Sequence, residues 1–157
     1  MEVNKVSKSF GTLIANNEIS FSISEGEVLA VLGENGAGKT TLMNMIFGHY
    51  VPDTGNITFN GKLMPAGDTK AAIKAGIGMV HQHFTLAENL TVLENIIIGK
   101  NPLWGWTLNA VKAEKKIRNI SESFGLKLDP FSKVIDLSVG EKQRLEILKT
   151  LYGDCKL

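Results

Sequence analysis

At 157 residues, with 43% hydrophobic and 21% charged side chains, the chain is long enough to bury one real core and is ordinary in composition for a globular protein. Seventeen basic against sixteen acidic residues leave a net charge of +1 with no basic or acidic block, which argues against nucleic acid or an anionic membrane as an electrostatic partner. The single cysteine, Cys155, cannot close an internal disulfide, and no apolar run reaches the roughly 18 residues of a membrane span.

The opening "MEVNKVSKSF" reads as too polar for a signal peptide, so direct membrane insertion is not expected. In chain order, short strands are predicted around Glu2–Val6 and Ile19–Ile23, then in "EVLAVL" at Glu27–Leu32. The last is apolar without alternation, as expected of a strand buried on both faces. A helix follows from Lys39 to about Phe47, closed by Gly48. "PDTG" at Pro52–Gly55 is a turn, "NITFN" a strand, and "NG" at Asn60–Gly61 a tight hairpin turn. A short helix near Thr69–Ala75 leads into a second buried strand, "GIGMVH". Beyond about Phe84 helical periodicity takes over: Val92–Ile98, then Ala110–Phe124 with Val111, Ile117, Ile120 and Phe124 towards one face, then a helix with Leu145, Leu148 and Tyr152 on one side. A mixed α/β part, residues 1–84, therefore precedes a helical part, residues 85–152, within a single domain.

The chemistry starts at "GENGAGKTT": Gly33, Glu34, Asn35, Gly36, Ala37, Gly38, Lys39, Thr40 and Thr41. The stretch satisfies G-x-x-x-x-G-K-[ST] with a predicted strand before it and a helix after it, the context the motif requires. The glycines let the backbone wrap phosphates with its N–H groups turned inward, and the helix adds the positive end of its dipole. Lys39 supplies a point charge for the β- and γ-phosphates, and the Thr40 hydroxyl is placed to ligate Mg²⁺. A glycine-rich strand–helix turn that binds nothing is the bland alternative.

Three further features narrow the class. Gln82, just past a predicted buried strand, offers an amide that could reach Mg²⁺ or an attacking water, although a lone glutamine there is usually a surface residue. His81 and His83 beside it have no third ligand and read as solvated. Phe10 could stack on an adenine ring, although alone it reads as a core aromatic. In "LSVGEKQR", Ser138 and Glu141 make a capping box, but a capping box needs no glycine. Gly140 beside the Ser138 hydroxyl makes a second anion-binding helix end, far in sequence from the first. Two copies facing head to tail would give each nucleotide one of each.

Phe10, the P-loop, "PDTGNITFNG", Gln82, "LTVLENI" and "LSVGEKQR", in this order and spacing, resemble the ATP-binding-cassette (ABC) transporter ATPase subunits. Within them the chain looks most like the first cassette of the tandem ATPases of nucleoside and simple-sugar importers, and the resemblance covers essentially its whole length. It implies a P-loop α/β core, incomplete at its C-terminal side, with an N-terminal antiparallel β subdomain and a helical subdomain after about Leu86 that meets transmembrane permease subunits. It also implies ATP and Mg²⁺ as ligands, Phe10 as the adenine-stacking ring, residues 33–41 as the Walker A loop, and Gln82 as the Q-loop glutamine. Ser138, Val139, Gly140 and Glu141 become the signature that closes on the ATP of a second cassette, at the cytoplasmic face of the membrane.

Two departures bear on activity. The signature reads Leu-Ser-Val-Gly-Glu where the general pattern is Leu-Ser-Gly-Gly-Gln, so Val139 and Glu141 depart from it, in a variant that suits the nucleoside and sugar branch. In the family, the signature helix leads to a strand ending in the Walker B aspartate, with the catalytic glutamate next, whereas this sequence reaches "YGDCKL" and ends. Asp154 has no hydrophobic strand before it and cannot stand in, so no catalytic base is expected within these residues. Three readings follow: a fragment that binds nucleotide without turnover, an ATPase completed by a separate chain, and a non-catalytic module that occupies the transporter.

Overall fold

The computed structural model describes residues 1–98 and 106–157, which divide into two compact units, Met1–Ile77 and Gly78–Leu157.

The first unit is built on an antiparallel sheet of order β2-β1-β3-β4. Its strands are β1 (Glu2–Phe10), β2 (Leu13–Ser22), β3 (Thr54–Phe59) and β4 (Lys62–Leu63). β1 and β2 run further than the sequence patterns suggest, and β1 pairs with β2 through shifts of register between Val3 and Val6 and again before Ser9. Such irregularities change which side chains face inward. They let Val3 and Val6, three residues apart, both be buried where a flat strand would send them to opposite faces. The β3–β4 hairpin turns at Asn60 and Gly61, both with positive φ, the conformation the "NG" pair predicts. Helix α1 (Lys39–Ile46) contributes Leu42, Met45 and Ile46 to the buried set, and Ile57, Phe59 and Ala72 join them. Helix α2 (Thr69–Ala75) is capped by Asp68, whose carboxylate accepts from the Ala71 N–H at 2.9 Å.

The second unit is helical: α3 (Val92–Ile97), α4 (Trp106–Ser123) and α5 (Val139–Leu151), with a turn of 3₁₀ helix at Val134–Asp136 before α5. Its core gathers Val92, Leu93, Ile96 and Ile97 from α3, Ala113 and Ile117 from α4, Val134, and Leu145 and Leu148 from α5; Tyr152 packs against them. Asn95 is buried here without penalty. Its carbonyl oxygen accepts from Ala87 N–H, and its amide donates to the Ala87 and Thr91 carbonyls.

Three expectations are corrected. Residues 27–32 form no strand: Val28 and Leu32 are 94% and 91% exposed, and Leu29 and Val31 are exposed too. A parallel-sheet strand exists only through its neighbours' hydrogen bonds, and no described residue pairs with this run. "GIGMVH" likewise forms no strand. Ile77 is buried, but the Gly78 N–H is taken by the Leu157 carbonyl rather than by a ladder. On α4 the inward face is Ala113, Ile117 and Ser121, an i, i+4, i+8 row with Ile120 packed beside it. Val111 lies off that row and is exposed, and Phe124, one residue past the helix, is exposed as well.

Candidate functional site

In the first unit, the chain from Gly33 to Thr41 turns through Asn35 and Gly36 into the head of α1. Gly36 and Gly38 hold φ of +86° and +85°, left-handed values that let successive amides face a common side. Gly38 is the N-cap residue of α1, and no side chain caps the helix. The first-turn amides of a helix have no acceptor within it, so this end is set up for an anion. The Lys39 ammonium donates to the carbonyls of Gly33 and Glu34, each at 2.7 Å, and so folds back across the mouth of the loop. Thr40 is exposed in the same turn.

The loop is braced from behind by β2. A Cβ on Gly38 would collide with the Ala15 carbonyl and stand 3.0 Å from the Asn16 amide nitrogen. Asn16 is buried, and its amide points to the Gly38 carbonyl at 3.4 Å while its own carbonyl oxygen has no partner. Nothing in the local pattern of β2 marks Asn16, whose partner lies 22 residues on. Phe10, at the end of β1, is no core residue: it is 46% exposed, in edge contact with Tyr50 and beneath the Lys8 ammonium. The first unit thus contains both the loop of residues 33–41 and Phe10.

The second unit holds the remaining candidates. Gln82 and His83 are exposed on a bend. The segment after them is fastened by Glu146, a carboxylate 5% exposed on α5, which accepts from the Thr85 N–H at 2.6 Å and the Thr85 hydroxyl at 3.0 Å. Lys149 donates to the Thr85 carbonyl at 3.1 Å, and Lys142 pairs with Glu88 at 2.8 Å. The stretch after Gln82 is therefore tied to the helix that begins at Ser138. Sequence patterning does not expose this link, because the partners stand 61 residues apart.

At the head of α5 the capping box is formed in full. The Glu141 carboxylate accepts from the Ser138 hydroxyl at 2.6 Å and the Ser138 N–H at 2.9 Å, while the Ser138 oxygen accepts from the Glu141 N–H. The Ser138 side-chain bond, more than the backbone bond, holds the Glu141 carboxyl below the usual carboxylate range. Val139 is exposed, and a Cβ placed on Gly140 would meet nothing within 4 Å, so the front of this helix end is open. Among the described residues no group of three His, Cys, Asp or Glu side chains is placed to hold a metal.

A sequence model of the ABC transporter family matches residues 16–157. The chain is 45% identical over 152 residues to the guanosine import ATP-binding protein NupO of Bacillus subtilis, covering 97% of this chain and 30% of that protein. It is 39% identical over 158 residues to the ribose import ATP-binding protein RbsA of Corynebacterium glutamicum, with 100% of this chain and 30% of that protein covered. The chain thus spans about three-tenths of the length of these curated relatives. The fold matches the ADP conformation of an ATP-binding cassette of an ABC transporter with a TM-score of 0.83 at 28% identity, covering 99% of this chain and 65% of that one.

Proposed function

The chain belongs to the ABC transporter family, and from that premise we propose that it is nucleotide-binding sequence of an importer's ATP-binding subunit, in which ATP binding and hydrolysis drive uptake of a nucleoside or a simple sugar. The observation that carries the reading is the P-loop: two left-handed glycines, an uncapped helix head and the Lys39 ammonium arching over the loop. The relatives that import guanosine and ribose support the solute classes.

Residues 33–41 hold the phosphates, with the loop amides and Lys39 supplying positive charge to the β- and γ-groups. In the present geometry the Lys39 ammonium satisfies itself on two carbonyls, so it exchanges these for phosphate oxygens when the ligand enters. Phe10 takes the base by stacking. Mg²⁺ fits a hard oxygen donor, and the exposed Thr40 hydroxyl of the first unit would hold it. Bound there, the ion would supply positive charge to offset that of the phosphate groups. Ser138, Val139, Gly140 and Glu141 form the open helix end that serves the nucleotide of a second cassette in a head-to-tail pair. Among the described residues no helix is long and apolar enough to cross a membrane, and the proposed seat is peripheral, at the cytoplasmic face against permease subunits.

The test is direct titration of the 157-residue chain with a fluorescent ATP analogue and Mg²⁺. Lys39→Ala removes a charge-assisted contact of about 1.5–3 kcal/mol, so affinity should drop at least tenfold. Equal affinity for the two proteins means that residues 33–41 are not the site.

A further inference from the structure

A ring offered to a purine must itself be held still, and Phe10 sits at a strand end with nearly half of its surface open. Its contacts are specific. The Tyr50 ring meets it edge-on, with centroids 5.6 Å apart and planes at 73°, and the Lys8 ammonium stands 5.6 Å from its centroid. Lys8 is fixed in turn by Asp53 at 2.8 Å. The Asp53 carboxylate also accepts from the Ser9 N–H at 2.7 Å, and the Asp53 N–H donates to the Ser7 carbonyl at 2.8 Å. The loop that leaves α1 is thereby clasped to the last residues of β1, and the Lys8 bond draws the Asp53 carboxyl below its usual range.

Tyr50 is anchored from the other side as well. The N–H groups of His49 and Tyr50 both donate to the Asn44 carbonyl, at 2.8 and 3.2 Å, so the ring is carried on the exit of α1. The entrance of that same helix is Gly38 and Lys39. Tyr50 is 39% exposed, so the pair buries too little to count as core and keeps ring surface for a third aromatic system.

We propose that Tyr50 is a positioning residue for the nucleotide base: it sets the Phe10 ring against the P-loop helix, so that one short helix registers the base contact at its exit and the phosphate contact at its entrance. This rests on the reading of Phe10 as the base-stacking ring. The Lys8–Asp53 clasp keeps the end of β1 and the exit of α1 together.

The experiment measures dissociation constants of ATP and of inorganic tripolyphosphate, each with Mg²⁺, for the 157-residue chain and four variants. Tyr50→Ala should weaken ATP about three- to tenfold, the size of an aromatic pair contact, and leave tripolyphosphate within about twofold. Tyr50→Leu, which keeps apolar bulk, should behave like the alanine variant, and Tyr50→Phe should retain the parent affinity because the contact needs a ring rather than a hydroxyl. If Tyr50→Leu binds ATP as the parent does, or loses both ligands equally, the proposal is overturned. Phe10→Ala separates the two layers. Selective loss of ATP there with none in Tyr50→Leu overturns the Tyr50 role alone, whereas no loss in Phe10→Ala overturns the base-stacking reading and the Tyr50 role with it.

Discussion

At the scale of single residues, the site is shaped by groups that cannot be exchanged without a named cost. Gly38 holds φ at +85°, where an L side chain costs about 1–2 kcal/mol, and the Ala15 carbonyl occupies the space a Cβ would need. Gly38→Ala should therefore lower the urea midpoint of the first unit and weaken ATP and tripolyphosphate by the same factor, because it deforms the phosphate loop and leaves the base contact alone. An alanine variant with an unchanged midpoint and unchanged affinities would show that β2 does not brace the loop. Glu146 makes a comparable argument in the second unit. Its removal strands the Thr85 N–H and hydroxyl, so Glu146→Ala should cost about 1–3 kcal/mol in denaturant unfolding. Glu146→Gln, which keeps an acceptor oxygen, should cost less, and a reversed order would mean that bulk rather than hydrogen bonding matters here. Gly38 was legible in the sequence because its motif is local. Asn16 and Glu146 were not, since what defines them is a partner 22 or 61 residues away, and no short pattern encodes that distance.

At the scale of elements, α3 and α5 of the second unit begin where their side chains say they must. Thr91 caps α3 with Glu94 three residues on, and Ser138 caps α5 with Glu141. Both carboxyls titrate below their usual range: Glu94 chiefly through the Thr91 N–H and then its hydroxyl, Glu141 chiefly through the Ser138 hydroxyl and then its N–H. Because each folded-state pKa lies below the unfolded value, the unfolded chain takes up protons first as the pH falls. The caps' contribution is thus complete above the ordinary glutamate pKa of about 4.3 and is lost as the pH descends from there through the lowered native values. A pH series of urea midpoints should be flat near neutrality and fall on acidification. With Glu94→Gln and Glu141→Gln combined, the acid limb should become shallower; an acid limb of the same steepness would assign it to other carboxylates. The box at Ser138 was readable from Ser-x-x-Glu, and Thr91-Val-Leu-Glu94 carries the same signature. The facing of α4 was not readable, because Val111 and Phe124 satisfy a helical period as well as Ala113 and Ser121 do. Which apolar stripe turns inward is decided by the partners that α3 and α5 present.

At the scale of the whole molecule, the antiparallel sheet and the helical unit close their own cores, and residues 27–32 do not. The run "EVLAVL" has the composition of a strand covered on both faces, and that much the composition alone announced. Its conformation could not follow from composition, since a strand is a property of a pair, and no described residue pairs with this one. The result is a stretch leading straight into the P-loop with Val28 and Leu32 almost wholly in water. Covering side chains of this size is worth about 1.5–3 kcal/mol each, so any apolar surface or strand edge that reaches them is held. In a solution of the 157-residue chain the first such surface is the same run on another copy. Sedimentation or light scattering should accordingly find concentration-dependent association, with excess salt leaving it intact because apolar burial is not screened. Val28→Thr with Leu32→Thr keeps β propensity while removing the apolar payload, and should shift the population to monomer without altering tripolyphosphate affinity. If the double variant associates as strongly as its parent, residues 27–32 are not the contact, and the exposed Phe131, Ile135 and Val139 become the next surface to substitute.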